Sequence, residues 1–196
     1  MDKRNFIAAT LCGLSSVALA AGKDDVSKSC AAPAGPTLLT ITGAIGAGNR
    51  GALDAALDQL MVKQKLVFER AHVFDFSTLS SLPRQTIKPT LEYDEQQHLL
   101  QGPLISDVLA AAGAANANNI LLRAIDGYVV MVSAADIRRY GFIIATHLDG
   151  KPLPLGGLGP LWAVYDADRF PEMMERPVSA RFALCPWGIY HIEARL

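Results

Sequence analysis

The segment from Phe142 to Tyr165, FIIATHLDGKPLPLGGLGPLWAVY, leaves the chain few ways to fold around it. Phe142 to His147 is an apolar, β-rich run, and Asp149-Gly150 is a turn dipeptide suited to positive φ. Two prolines and three glycines follow between Lys151 and Gly159, and Pro160 fixes the chain just before Leu161 to Tyr165. The pattern predicts a strand, a tight turn, a Pro/Gly-rich loop and a second apolar strand carrying Trp162. Glycines let backbone N–H groups approach a ligand, and an aromatic face beside them suits a flat heteroaromatic molecule. The plainer reading of the same residues is a loop over a sheet edge with a core tryptophan.

The rest of the chain has the same grain. Thr37 to Thr42 reads as a first strand, and Ala52 to Lys65 as an amphipathic helix with Leu53, Ala56, Leu57, Leu60 and Met61 at helical spacing. Leu66 to Phe76 reads as one or two strands, and Ser77 as the cap of a short helix over Thr78 to Leu82. Arg84 to Tyr93 is strand-like but interrupted by Pro89, which places it at an edge or a bulge. His98 to Gln101 is a short extended piece, and Ser106 to Gly113 a helix with a glycine stop. Ile120 to Ile125 and Tyr128 to Val132 form a hairpin across Asp126-Gly127. Ser133 caps a helix over Ala134 to Tyr140, Phe170 to Pro177 is a loop or a single helical turn, and Ser179 to Ala183 and Ile189 to Arg195 close the chain as strands. Many short, mostly antiparallel strands with small helices define an α+β domain.

Hydrophobic residues make up 51% of the chain and charged ones 19%, enough apolar material for a substantial core. The net charge is −1 with no basic run after Arg4, which excludes a nucleic-acid binder dependent on clustered Lys and Arg. Residues 1–20 have the build of a signal peptide: Lys3 and Arg4, an apolar stretch from Phe6 to Leu19, and a small-x-small site at Ala18-Leu19-Ala20. Residues 21–36 read as a flexible lead-in and 37–196 as the single domain. Export as a soluble, periplasmic protein is the expectation. Of the cysteines left after cleavage, Cys30 and Cys185 are open to two readings, a disulfide or two free thiols.

Familiar catalytic signatures are missing. There is no G-x-S-x-G elbow, no H-E-x-x-H and no P-loop, and Asp94-Glu95, adjacent in an extended segment, points to opposite faces. His72, His98, His147 and His191 lie far apart, so none is assigned to a metal. Tyr93, Tyr128, Trp162, Tyr165 and Trp187 all fall at strand ends or beside turns, where ligands commonly bind, and one or two of them are expected to touch one.

In their order, TLLTITGAI, TLEYDEQQHLLQGPLISDVLAAAGA, DGYVVMVSAADI, ATHLDGKPLPLGGLGPLWAVY and WGIYHIEAR, these segments resemble the molybdopterin-binding domain of the sulfite oxidase family. The resemblance runs from about Thr37 to Leu196, and Gly102 to Gly113 and Asp149 to Trp162 are its most specific parts. It implies a mixed α+β, barrel-like domain. Where the family's enzymes carry the cysteine that ligates molybdenum, this chain has Tyr93, and a phenol is a poor substitute for a soft thiolate. Basic residues to hold the cofactor's phosphate are also not evident in the matching loops. The chain is most similar to the short periplasmic pterin-binding proteins of the PruR type. That resemblance implies a protein that captures a reduced pterin, without molybdenum, and modulates a membrane-bound cyclic-di-GMP diguanylate cyclase/phosphodiesterase through its periplasmic region. The alternative is a molybdopterin-dependent oxidoreductase with atypical metal ligation. For the pterin site, Trp162 is expected to stack on or wall the ring, Asp126 and Asp94 to bond its aminopyrimidine edge, and Tyr93, Tyr128 and Trp187 to line the pocket.

Overall fold

A computed structural model describes residues 33–196; the predicted signal peptide, most of the lead-in and Cys30 lie outside the described residues. No helix of the described residues is long and apolar enough to cross a membrane.

The chain starts with β1 (Leu39–Gly43), whose Leu39 and Ile41 are fully buried. Next comes α1 (Gln59–Lys63), much shorter than the helix predicted over 52–65. The carboxylates of its approach hold the chain in turns instead. Asp54 Oδ1 accepts from the Ala56 and Leu57 N–H groups, and Asp58 Oδ2 accepts from the Asp54 N–H and pairs with Arg50. Leu57 is left 82% exposed. After β2 (His72–Phe74), α2 (Phe76–Ser80) is capped by Asp75, two residues earlier than the expected Ser77. Asp75 Oδ1 accepts from the Thr78 N–H at 2.7 Å while the Asp75 N–H donates to Thr78 Oγ1 at 2.9 Å. That reciprocal box outcompetes a lone serine. Asp75 also accepts from the Ala34 and Gly35 N–H groups, tying the incoming chain to this helix.

β3 (Arg84–Ile87) lies at a sheet edge, with β4 (Leu100–Pro103) beside it. α3 (Ile105–Ala111) ends ahead of Gly113 at φ 72°. The hairpin β5 (Asn119–Ala124) and β6 (Val129–Ser133) leads into α4 (Ala134–Tyr140), whose cap Ser133 accepts from the Asp136 N–H. β7 (Ile143–Ala145), β8 (His147–Leu148) and β9 (Lys151–Pro152) follow, with Asp149 and Gly150 both at positive φ in the turn between the last two. β10 (Trp162–Val164) precedes α5 (Pro171–Met174), α6 (Val178–Arg181) and β11 (Ile189–Arg195). The strand expected over 179–183 is therefore a helical turn. Arg181 pins it there, donating to the Arg176 and Met174 carbonyls and to Asp168.

The strands form a five-stranded sheet β2-β1-β11-β5-β6, a four-stranded sheet β3-β4-β8-β9 and the pair β10-β7. Only β1 and β11 run parallel among these pairs. The isolated bridge Leu104–Ile143 links the end of β4 to β7, Trp162–Trp187 links β10 to the residues just before β11, and the three sheets share a common core. Tyr140, Phe142, Tyr165 and Phe170 pack ring to ring inside it, with centroids 4.7–6.5 Å apart.

Candidate functional site

The β5–β6 turn is built by its side chains. Gly127, at φ 93°, donates its N–H to the Ala124 carbonyl, and Asp126 Oδ1 accepts from the Tyr128 N–H at 2.8 Å. The Ile125 N–H donates to the Gly188 carbonyl, which docks the turn beside Pro186-Trp187-Gly188. From the other side comes the loop after Thr90, whose N–H and hydroxyl both donate to Asp168 Oδ2 at 2.8 and 2.6 Å. These three segments enclose a cleft of about 280 Å³ lined by Glu92, Tyr93, Asp126, Tyr128 and Trp187, with Phe182 and Cys185 also on its wall. A second, more apolar cleft of about 350 Å³ runs along the glycine-rich loop, and Asp126 and Trp187 belong to both.

Tyr93, Tyr128 and Trp187 each keep part of a ring exposed, so aromatic faces are available to a ligand. The Tyr128 hydroxyl donates to the Ala183 carbonyl at 2.7 Å. Burial of the Tyr93 hydroxyl, and then the Glu92 charge beside it, push that phenol up to about 12. No lysine or arginine lines the cleft, while two carboxylates, Glu92 and Asp126, do. Its electrostatics thus favour a ligand rich in N–H donors and disfavour a phosphate.

Four of the residues singled out from the sequence, Tyr93, Asp126, Tyr128 and Trp187, meet in this cleft. Trp162 does not. Its indole is 1% exposed and donates its N–H to the Cys185 carbonyl at 2.9 Å, so it supports the segment behind the cleft and offers no face to a ring. Asp94 is also elsewhere, bonded to His98 Nε2 at 2.8 Å, with His98 Nδ1 bonded to Asp149 at 2.6 Å. That cluster ties the loop carrying Tyr93 to the β8–β9 turn. Tyr165 is a core residue, its hydroxyl donating to the Arg181 carbonyl. Glu92, Phe182 and Cys185 are among the lining residues that sequence reasoning missed. Only adjacency to Tyr93 and to Pro186-Trp187 signalled Glu92 and Cys185, and nothing local signalled Phe182.

The residues present do not fit a molybdenum centre. No group of three His, Cys, Asp or Glu able to hold a metal occurs among the described residues. Cys185, the one thiol of the cleft, is buried, and burial pushes its pKa well above the usual thiol range; Tyr93, at the place where the resemblance expects a ligating thiolate, offers only a phenol. The two histidines of the main sheet serve its interior: His191 Nε2 meets Thr42 Oγ1 at 2.9 Å and burial lowers its pKa to about 4, while His72 packs on Phe74.

No family model and no curated protein matches the sequence. Among solved structures, the sulfane dehydrogenase SoxCD from Paracoccus pantotrophus superposes with a TM-score of 0.51 at 14% identity, over 80% of this chain and 37% of that one. The chain thus spans little more than a third of that protein's length, and at this identity the likeness concerns the fold. The protein has a mixed α+β fold, shared with the matching part of the sulfane dehydrogenase.

Proposed function

We propose that the cleft between Tyr93, Asp126, Tyr128 and Trp187 binds a reduced pterin that carries neither phosphate nor metal. One observation carries the reading: two carboxylates and four aromatic side chains converge where no cation does. The aminopyrimidine edge of a pterin offers paired N–H donors, which a carboxylate accepts in its own plane. Asp126 spends Oδ1 on the Tyr128 N–H and keeps Oδ2 for such a donor. A tricyclic cofactor bearing a phosphate would bring negative charge against Glu92 and Asp126, so the oxidoreductase reading is the weaker one.

In the fuller proposal the protein acts in the periplasm, reached through the signal peptide of residues 1–20. There the loaded form modulates a membrane-bound cyclic-di-GMP diguanylate cyclase/phosphodiesterase through that enzyme's periplasmic region. This part rests on the resemblance of the sequence to the periplasmic pterin-binding proteins.

The test is calorimetry and thermal melting of the purified protein with tetrahydropterin, its phosphorylated counterpart and an unrelated purine. A ligand that binds only the folded state raises the melting temperature. Tetrahydropterin should do so and the phosphorylated form should do so far less. No response to either, or stoichiometric molybdenum in protein produced with intact cofactor synthesis, would refute the reading.

A further inference from the structure

A sheet edge exposes a row of unpaired N–H and C=O groups, and folded proteins blunt such edges with short strands, charges, prolines or bulges. Nearly every edge of this fold is closed in one of these ways. At β2, the Asn49 amide imitates a neighbouring strand: Nδ2 donates to the Val73 carbonyl at 3.0 Å and Oδ1 accepts from the Val73 N–H at 2.7 Å. β3 carries Arg84, Gln85 and Thr86 on an exposed stretch between Pro83 and Pro89. β9 is two residues long and consists of a lysine and a proline. β10 is met by the Trp162–Trp187 bridge, and β7 by the Leu104–Ile143 bridge.

β6 is different. Its sequence, VVMVS, holds no charge, no proline and no glycine. The Ala124 N–H donates to the Tyr128 carbonyl and the Ala134 N–H to the Asn118 carbonyl, so the hydrogen-bonded pairs of the β5–β6 ladder are the even-numbered positions. The N–H and C=O groups of Val129 and Met131 therefore point away from β5, and none has a partner among the described residues. Their side chains are exposed as well, 38% for Val129 and 55% for Met131, while Val132 is buried on the other face.

We propose that β6 pairs with β6 of a second copy of this chain, antiparallel and about a two-fold axis at Val130. That register makes the edge its own complement. Val129 faces Met131 of the partner subunit, and Met131 faces Val129 of the partner subunit, so the outward backbone groups of both residues are satisfied in each copy. The same pairing covers two exposed apolar side chains with two others, and no like charges meet, because the strand has none. The interface is isologous, as closed dimers require. The five-stranded sheet becomes a continuous ten-stranded one. A five-residue edge is about 17 Å long. By itself it buries less than the roughly 800 Å² per partner of a standard stable interface. The dimer is accordingly concentration-dependent.

Sedimentation velocity of the full chain over a wide concentration series tests this. The mass should rise from monomer toward dimer. Met131→Lys, which sets a charge against an apolar neighbour at both ends of the register, should stay monomeric while melting like the parent at low concentration. Val130→Cys in a Cys12→Ser, Cys30→Ser background should form a disulfide-linked dimer on oxidation. The two copies of this position lie about 4.5 Å apart at Cα in a non-hydrogen-bonded antiparallel pair, within reach of a disulfide. Leu57→Cys in the same background, exposed but not on the β6 edge, should not cross-link. Should Met131→Lys fail to fold, the contrast between the two cysteine variants decides the matter. A monomer at every concentration, a dimer indifferent to Met131→Lys, or equal cross-linking at both cysteines would overturn the proposal. So would a monomer whose β6 edge takes up a strand of a different protein.

Discussion

The Tyr128 hydroxyl donates to the Ala183 carbonyl across 2.7 Å, joining the hairpin to the segment that brings Phe182 and Cys185 to the cleft. This bond holds one wall of the cleft against another. Tyr128→Phe keeps the ring and removes the tie. A single exposed hydrogen bond contributes about 1 kcal/mol. The melting temperature should barely move, while affinity for tetrahydropterin, read by calorimetry, falls by about two- to tenfold.

The two tryptophans separate packing from recognition. Trp162 is fully buried with its N–H satisfied, so Trp162→Ala opens a cavity and should cost about 3–5 kcal/mol in chemical denaturation. Trp187 is 41% exposed at the cleft rim. Trp187→Ala should leave denaturation nearly unchanged and weaken pterin binding. The opposite result would return Trp162 to the site.

His98 gives stability a specific pH dependence. Both of its ring nitrogens face carboxylates, so each must carry a proton to donate, and Asp149 and then Asp94 hold its pKa above the usual histidine value. The histidine's share of stability is complete below its unfolded pKa and is lost as pH rises through the raised folded one. Asp94 and Asp149 are held below the usual carboxylate range, first by the His98 hydrogen bond. Their share is present above the unfolded carboxylate pKa and is lost as pH falls through the lowered values. Melting temperatures of the parent and of His98→Gln should differ most in mildly acidic buffer and converge at alkaline pH. Parallel curves would refute this account of the cluster.

Gly102 tests a close approach that owes nothing to backbone angle. A Cβ there would lie 1.8 Å from the Ile144 carbonyl oxygen and 2.7 Å from its carbon. Neither atom can rotate away, because β4 and β7 would have to separate. Gly102→Ala should cost more than about 3 kcal/mol or prevent folding, as soluble yield and denaturant unfolding would report.

Much of this architecture is legible in the residues alone. The Asp149-Gly150 and Asp126-Gly127 turns, the Ser133 cap and the edge position of β3 follow from local chemistry that tertiary contacts do not override. Periodicity misleads where side chains compete with the backbone. Asp54 and Asp58 unwind most of the helix expected at 52–65, and Arg181 folds the chain at 178–181 through contacts with residues before it. In the cleft, aromatic residues beside turns located Tyr93, Tyr128 and Trp187. Nothing local distinguishes Trp187 from Trp162, since one is covered and the other left at the rim only by how β10 sits against β7 and Phe182. Asp94 was drawn away by His98, a partner four residues on whose role depends on the distant Asp149.

β11 stands in the middle of the main sheet, flanked by β1 in parallel and β5 in antiparallel fashion. Both flanking strands leave the ribosome long before it does. Until Ile189–Arg195 emerges, they have no bridge between them, and assembly must await a segment made more than a hundred residues after β1. Such distant closure is slow. The growing polypeptide therefore keeps an unclosed main sheet until β11 has been made, and cutting that strand away would remove the keystone rather than trim a fringe.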